Sequence, residues 1–397
     1  MKNPSGIDIQ IITTIKELES IKLFWLRNQW HPNADFDFYN LIIRSRREII
    51  SPCIFVIRKN EEIISLIVGR IENSIRKISL GYLKIGSVKL KQLVLIDGGA
   101  LGELTKDAWA GLFPIIDDFI LNRSLDCAQF SQIRADSIVI EQGKLAIGGV
   151  RYGMLNKLSK HWQLKLPISA EEFLKSRSRK HRHWIKRLST ILDRDFPSLW
   201  EIKTFQSYES ADEFCSEAEK VASTTYHRKL GAGFRGSQET LQRLKVEAAR
   251  GGLRGYILYI EGKPCAFWHC HQYGDILHMA STGYIDKYRK YELGTVLLVR
   301  VFSDHCGQKS VTVDFGLGEA SYKERFGNEF YEVTNMILYA RNLRGSLICM
   351  IFTVHKFINA VARTLIQATG SMDRLRTLFR RKLINSNPNS ESKEPNS

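Results

Sequence analysis

Fifteen residues in the last quarter of the chain, Val313 to Gly327, read VDFGLGEASYKERFG and bring an acid, a flexible turn, a phenol and an ammonium together. Asp314 closes a short apolar run that reads as a strand, and strand ends are where open α/β sheets collect ligands. Gly316 and Gly318 permit backbone shapes that other residues resist and let a substrate come close. Tyr322 and Lys323 then stand side by side where a helix begins. In that order an Asp can accept a proton from an attacking amine or hydroxyl, a Tyr can give one to a leaving group, and a Lys can hold negative charge. The same residues also describe an Asp capping a turn, a core Tyr and a surface Lys. Chemistry alone leaves both readings standing.

A second group lies just upstream, in YIDKYRKYELGTVLLVRVF. A strand, a tight turn and a helix starting near Gly294 and Thr295 aim unpaired backbone N–H groups at one spot, where the helix dipole favours a phosphate or pyrophosphate. Arg289 and Lys290 add charge there; the other reading is a plain connection with a solvated Arg/Lys pair. His269, Cys270 and His271 invite a metal reading, because alternate strand residues share a face. No second Cys/His cluster has zinc-ligand spacing, so packing or substrate contact through His269 is expected and no metal. His278, on the next strand, is a second candidate for general base, since imidazole titrates near neutrality.

The elements that must position these groups occur twice. Cys53 to Arg70 and Gly255 to His271 both read as β-hairpins, with polar turns at Lys59 to Glu62 and Glu261 to Pro264. After the first come a strand at Gln92 to Ile96, a glycine loop at Asp97 to Gly102, a helix at Lys106 to Leu121 and a strand at Ala128 to Ile133. After the second come a strand at Ile276 to Tyr284, a polar loop, a helix at Gly294 to Cys306 and a strand at Ser310 to Phe315. Matching order predicts two copies of one α/β unit. Between them, Ser169 to Asp195 reads as a helix opened by a Ser169/Glu172 capping box. Its middle is basic, and Arg182 there is a candidate for contact with an anionic acceptor. Beyond the second copy, Leu347, Met350, Ile351, Val354, Ile358, Val361 and Leu365 can share a helical face. The basic cluster that follows suits an anionic membrane surface, with packing onto the second copy as the other reading. Asn385 to Ser397 reads as disordered.

The balance of 58 basic against 42 acidic residues leaves a net charge of +16 and favours an anionic partner. Seven scattered cysteines and a charged N-terminal segment predict a reduced protein without a secretory signal. The longest uncharged apolar run, Leu347 to Val354, falls well short of the roughly 20 residues that cross a bilayer. A cytoplasmic protein is expected, with contact at the inner face of the membrane as a further option. No aromatic-rich nucleic-acid module stands out, so a nucleic-acid partner is not expected.

Hairpin, long strand, Tyr288 to Gly294 and then Asp314-Phe315-Gly316, Gly318, Tyr322-Lys323 and Phe326-Gly327 resemble the GNAT-type acetyltransferase domain of CelD-like proteins. That family occurs with bacterial polysaccharide synthesis and is related to the FemAB-type transferases, which carry two GNAT-like halves. The resemblance spans about residues 40–340, and Ser176 to Leu188 resembles the basic helix joining the halves. It implies an α/β fold of two tandem GNAT-like halves, mixed sheets flanked by helices. The division is 1–165 as a degenerate N-terminal half for packing or acceptor binding, 166–200 as the basic connecting helix, 201–342 as the catalytic half, 343–383 as a basic amphipathic tail and 384–397 as disordered. It implies acetyl-CoA or another acyl-CoA as donor and a sugar or cell-surface precursor as acceptor. Asp314, Tyr322, Lys323 and His278 would be catalytic. Arg289, Lys290, Gly294 and Thr295 would hold the cofactor, and Gly316, Gly318, His269 and Arg182 the substrate. The sequence departs from the family at Glu292, which stands where the pyrophosphate pattern has its first glycine. That departure keeps two alternatives open: an aminoacyl-tRNA-dependent transferase, and a non-catalytic membrane-associated module of a polysaccharide synthesis complex.

Overall fold

The computed structural model describes residues 7–80, 83–147, 152–154, 158–225, 228, 233–308, 311–318 and 320–368. The basic residues at 374–382 and the polar stretch from Asn385 lie outside them. In the N-terminal half the order is β1 (Ile7–Ile12), α1 (Lys22–Asn28), α2 (Phe36–Ser45), β2 (Ile49–Lys59), β3 (Glu62–Leu80), β4 (Leu83–Gly102), α3 (Lys106–Asn122) and β5 (Cys127–Arg134). Next come α4 (Ile138–Ile147), β6 (Tyr152–Met154), β7 (Ser159–Lys165), α5 (Ala170–Lys175) and α6 (Arg179–Asp195). The second half repeats the first: β8 (Trp200–Phe205), α7 (Ala211–Thr224), α8 (Gln238–Ala249), β9 (Leu253–Ile260), β10 (Lys263–Tyr273), β11 (Ile276–Tyr284), α9 (Leu293–His305) and β12 (Thr312–Asp314). The chain then runs through α10 (Ser321–Phe326), β13 (Glu329–Tyr339) and α11 (Leu343–Ala368). The repeat therefore includes a leading strand and two helices beyond the elements expected from sequence.

Local sequence explains the frame. The β2–β3 turn places Asn60 and Glu61 at φ 50° and 71°, and the β9–β10 turn places Glu261 and Gly262 at φ 52° and 71°. Two consecutive left-handed residues give the turn whose twist matches paired strands. In α3, Leu112, Phe113, Ile116 and Ile120 are fully buried. At roughly 1.5–3 kcal/mol each, they outweigh the cost of about 3 kcal/mol for Pro114 inside the helix. Each half buries apolar residues on both sheet faces. In the second half, α6, α9 and α10 cover one face and α7 with α8 the other.

Two expectations change. The glycine loop at 97–102 is part of β4, where the register against β3 jumps between Ile67–Ala100 and Gly69–Leu95. Extra residues in one strand make a bulge, and glycines supply its backbone. Gly98 sits at φ 72°, and a Cβ there would lie 2.2 Å from the Cβ of His31. The single helix read over 169–195 is two helices, α5 and α6. Ser169 caps the first through the Glu172 N–H as expected, and Ser178 starts the second by accepting from the His181 N–H.

Among the described residues the mixed sheets join into one sheet of 13 strands, ordered β1-β2-β3-β4-β5-β13-β7-β12-β11-β10-β9-β8 with β6 beside β13. The order is the same pattern from either edge. Each half lacks a strand after its parallel β4–β5 or β11–β12 pair and takes it from the other: β13 pairs with β5, and β7 pairs with β12. β7 precedes residue 165, yet it completes the sheet of the second half.

Candidate active site

Register builds the site. His271 on β10 lies opposite His278 on β11, and His278 is beside Asp314 on β12. Partners in neighbouring strands point to the same face, so His271, His278 and Asp314 form a polar row across three strands. The intervening residues Leu277, Met279 and Val313 belong to the core under α9. The polar row therefore faces the α7–α8 side. His278 and Asp314 are also the last pair between β11 and β12. β11 continues to Tyr284, while the chain after Asp314 follows β7 through the Phe315 N–H bond to the Trp162 carbonyl. The two parallel strands thus part at this pair.

Asp314 is only 7% exposed, and its Oδ1 accepts from the Gly316 N–H at 2.7 Å and lies 2.6 Å from His161 Nε2. Burial would raise its pKa. The His161 bond, the Gly316 amide and nearby His278 overcome that and hold it below the usual carboxylate range. An ionised Asp314 can only accept, so Nε2 of His161 carries the hydrogen in that bond and Nδ1 is the nitrogen that can exchange a proton. That Nδ1 is buried without a hydrogen-bond partner among the described residues, as is Nε2 of His278. The His161 ring stacks on Tyr331 at 4.7 Å. Burial lowers the pKa of His278, against the pull of Asp314, so its imidazole is neutral near pH 7.

The N-terminal half closes over this row. The rings of His31 and His278 meet edge-on at 5.1 Å, and His31 Nε2 is 3.6 Å from Asp97 Oδ2. Burial, with His278 adding, lowers His31 to about 3. Burial lifts Asp97 to about 6, with His161 opposing and Asp314 assisting. The glycine bulge in β4 is what lets His31 approach Asp97. Alongside, Asp35 pairs with Arg250 at 2.5 Å and accepts from the Tyr273 hydroxyl at 3.1 Å.

Tyr322 lies on the opposite side of the sheet. The Tyr322 ring packs edge-on against Trp268 at 5.6 Å and Phe315 at 6.0 Å. Burial, with Cys270 adding, pushes its pKa up to about 12, which keeps the phenol protonated. The Lys323 ammonium is buried and donates to the carbonyls of Gly316 and Leu317. Its charge holds the turn after β12 rather than standing free for an anion. Burial lowers its pKa against the pull of Asp314. Gly316 and Gly318 shape that turn, at φ 64° and 105°.

The start of α9 shows how the cofactor candidates are arranged. Glu292 takes the N-cap position in a left-handed conformation, φ 49° and ψ 45°, and no side chain caps the helix. The Glu292 carboxylate turns outward, accepting from the Trp184 indole N–H at 3.1 Å and lying 3.8 Å from Arg325. Gly294 and Thr295 follow in the first turn, half-buried, and the Gly294 carbonyl accepts from Trp268. Arg289 and Lys290 are exposed in the 3-10 turn Asp286–Tyr291, with Lys290 over the Tyr291 ring. An uncapped helix start beside a strand opening fits the phosphates of an acyl-CoA; the carboxylate next to it, though turned aside, is the unfavourable element.

Two proposed substrate contacts are occupied elsewhere. His269 Nε2 lies 2.7 Å from Glu247, within the α7–α8 core, and Glu247 also accepts from Arg243. Arg182 donates to the carbonyls of Lys175 and Arg177 and so closes the end of α5. His161, His31 and Asp97 were not singled out by sequence. His161 lies on a strand that the sequence reading did not identify, and its partner is 153 positions away.

Residues 179–324 match the family described as an acetyltransferase (GNAT) domain. A comparison with curated protein sequences finds no match. Among solved structures the chain is similar to FemX, with a TM-score of 0.57 at 9% identity over 86% of this chain and 100% of that one. It is also similar to the C-terminal domain of a putative lysylphosphatidylglycerol synthetase from Agrobacterium fabrum, with a TM-score of 0.52 at 10% identity over 85% and 96% of the two chains. L-PGS from Bacillus licheniformis gives a TM-score of 0.50 at 15% identity over 86% and 96%. At such identities the likeness is one of fold. The chain has the GNAT acyltransferase fold in two halves, and its C-terminal half carries the matching domain.

Proposed function

We propose that the C-terminal half transfers an acyl group, in the first instance acetyl, from coenzyme A to an amine or hydroxyl of a sugar or cell-surface polysaccharide precursor. The observation that carries this reading is the pair His278–Asp314 at the parting of β11 and β12, with His161 bonded to Asp314. The CelD-like sequence motif supports the sugar acceptor.

In this reading the thioester carbonyl would enter the gap between the strands, with the acceptor on the polar face and the thiol on the Tyr322 face. His161, oriented by Asp314, takes the acceptor's proton on Nδ1 as the amine or hydroxyl bonds to the carbonyl carbon. The carbon–sulfur bond breaks, and the departing thiolate takes the Tyr322 proton. Neutral His278 beside Asp314 lines the acceptor's path and adds no positive charge to oppose protonation of His161. Asp314 is a positioning residue here, because its bonding oxygen is already engaged.

Calorimetric titration with acetyl-CoA, followed by thiol release over a panel of sugar acceptors, tests the reading. Binding followed by acceptor-dependent release is expected, and Tyr322→Phe should slow it by about 10²-fold or more. Near wild-type turnover in that variant removes Tyr322 from its role. A second reading is favoured by one observation, the Glu292 carboxylate at the mouth of α9. It suits a donor without a diphosphate there, such as an aminoacyl ester of tRNA. Indifference to acetyl-CoA together with charged-tRNA binding that weakens steeply with salt would select it.

A further inference from the structure

Helix α11 is apolar on two sides. Its inner side packs on the sheet: Ile348 is buried, Phe352 lies 5.9 Å from the Arg76 guanidinium, and His355 and Asn359 both reach the Ser79 carbonyl. A helix so placed should present polar residues outward. Instead Leu343, Leu347, Met350, Val354, Phe357, Ile358 and Val361 are between 43% and 92% exposed. At about 100° per residue these seven positions fall within an arc of roughly 100°, nearly opposite the packed side. No polar or charged side chain interrupts that arc between 343 and 361. At ~1.5 Å per residue the stripe is about 27 Å long. Contiguous exposed apolar surface of this kind marks an interaction site.

Charge narrows the occupant. Lys77 is exposed on β3, the strand against which α11 packs. Beyond the helix the chain carries Arg374, Arg376, Arg380, Arg381 and Lys382 within nine residues. An apolar stripe followed in sequence by a basic cluster suits an anionic bilayer, which offers both hydrocarbon and negative headgroups. The first 20 residues of the helix, Leu343–Ala362, have a mean hydropathy of 1.5, enough by length and composition to cross a membrane. The packed inner side argues against crossing, since His355 and Asn359 would leave Ser79.

We infer that the outer face of α11 docks the protein flat on an anionic lipid surface, the apolar stripe entering the headgroup boundary and the basic segment after it engaging acidic headgroups. This is independent of the reaction proposed above and survives its failure. The test is flotation of the purified full chain with vesicles of pure phosphatidylcholine and of equal parts phosphatidylcholine and phosphatidylglycerol. Co-flotation with the anionic vesicles is expected. Leu347→Glu with Val354→Glu should lower the bound fraction at least tenfold while leaving far-UV circular dichroism and the melting temperature unchanged, because both positions are exposed. Arg380→Glu with Arg381→Glu should weaken binding severalfold and flatten its salt dependence. No flotation of the wild-type chain, or equal flotation of the Leu347→Glu/Val354→Glu variant, overturns the inference. So does resistance of the bound protein to alkaline carbonate, which would mean a spanning helix. A dimer in light scattering that the Leu347→Glu/Val354→Glu variant dissolves also overturns it, by showing a second copy on this face.

Discussion

The two halves put the same slot to different use. In the N-terminal half, β4 and β5 part after the pair Leu95–Phe130, both buried in the core. In the C-terminal half the last pair is His278–Asp314, which is turned to the other face, away from α9. The helices that follow differ in the same sense. Thr105 caps α3 by accepting from the Ala108 N–H, whereas α9 has no side-chain cap and begins at a left-handed Glu292. One copy ends its parallel pair on core residues and caps its helix; the other ends it on ionisable groups and leaves its helix start uncapped. The first then lends His31 and Asp97 to the second. On the proposed function, the two copies divide packing from chemistry.

The sharpest way to break this contrast is at the parting pairs. Asp314→Asn should cut acyl transfer by about 10²- to 10⁴-fold, while Leu95→Met in the last pair of the other half should leave the rate unchanged. Equal effects, read as kcat/KM in a thiol-release assay, would erase the distinction.

Acid should act chiefly at the junction of the halves. Burial lowers His31 to about 3 and His271 to about 4, and lowers His278 as well. Imidazoles held neutral contribute stability that is full above the unfolded pKa near 6.5 and is lost as pH falls towards their folded values. Asp97, raised to about 6, works the other way, its contribution lost as pH rises through 6. The three imidazoles outweigh it, so stability should fall by about 2–4 kcal/mol between pH 7 and pH 5. Urea denaturation at the two pH values measures this, and a flat profile would show the row to be solvated.

Smaller effects separate packing from binding. Gly98→Ala forces a left-handed alanine against His31 and should cost about 2 kcal/mol of stability without changing acyl-CoA affinity. Thr105→Ala should cost about 1 kcal/mol, again with affinity unchanged. Glu292→Gln should do the reverse, tightening acyl-CoA by roughly threefold at unchanged stability. Calorimetry and thermal melts on the three variants sharpen the division, and an affinity loss in Thr105→Ala would blur it.

Much of the frame was legible because it is written locally. β11 was read to the residue, both hairpin turns fell where polar residues interrupt β-branched runs, and α3 followed its apolar period. Asp314 and Tyr322 were visible as chemistry, but not that a sheet would separate them. His161, His31 and Asp97 were missed because each acquires its meaning from residues far along the chain, which no local period encodes. The bulge at Gly98 read as a loop, since glycine marks both. The break between α5 and α6 was hidden inside a continuous basic run, where Ser178 looked like one more polar position.

The exchanged strands bear on how this chain comes off the ribosome. β5 is complete by Arg134, yet the strand that covers its open edge ends at Tyr339, roughly two hundred residues later. At about 5–20 residues per second, the nascent first half waits some tens of seconds with a bare hydrogen-bonding edge. Neither half can be expressed alone as a finished unit, and a truncation before β13 should leave a sticky flank where it would least be suspected, in the half that is already made.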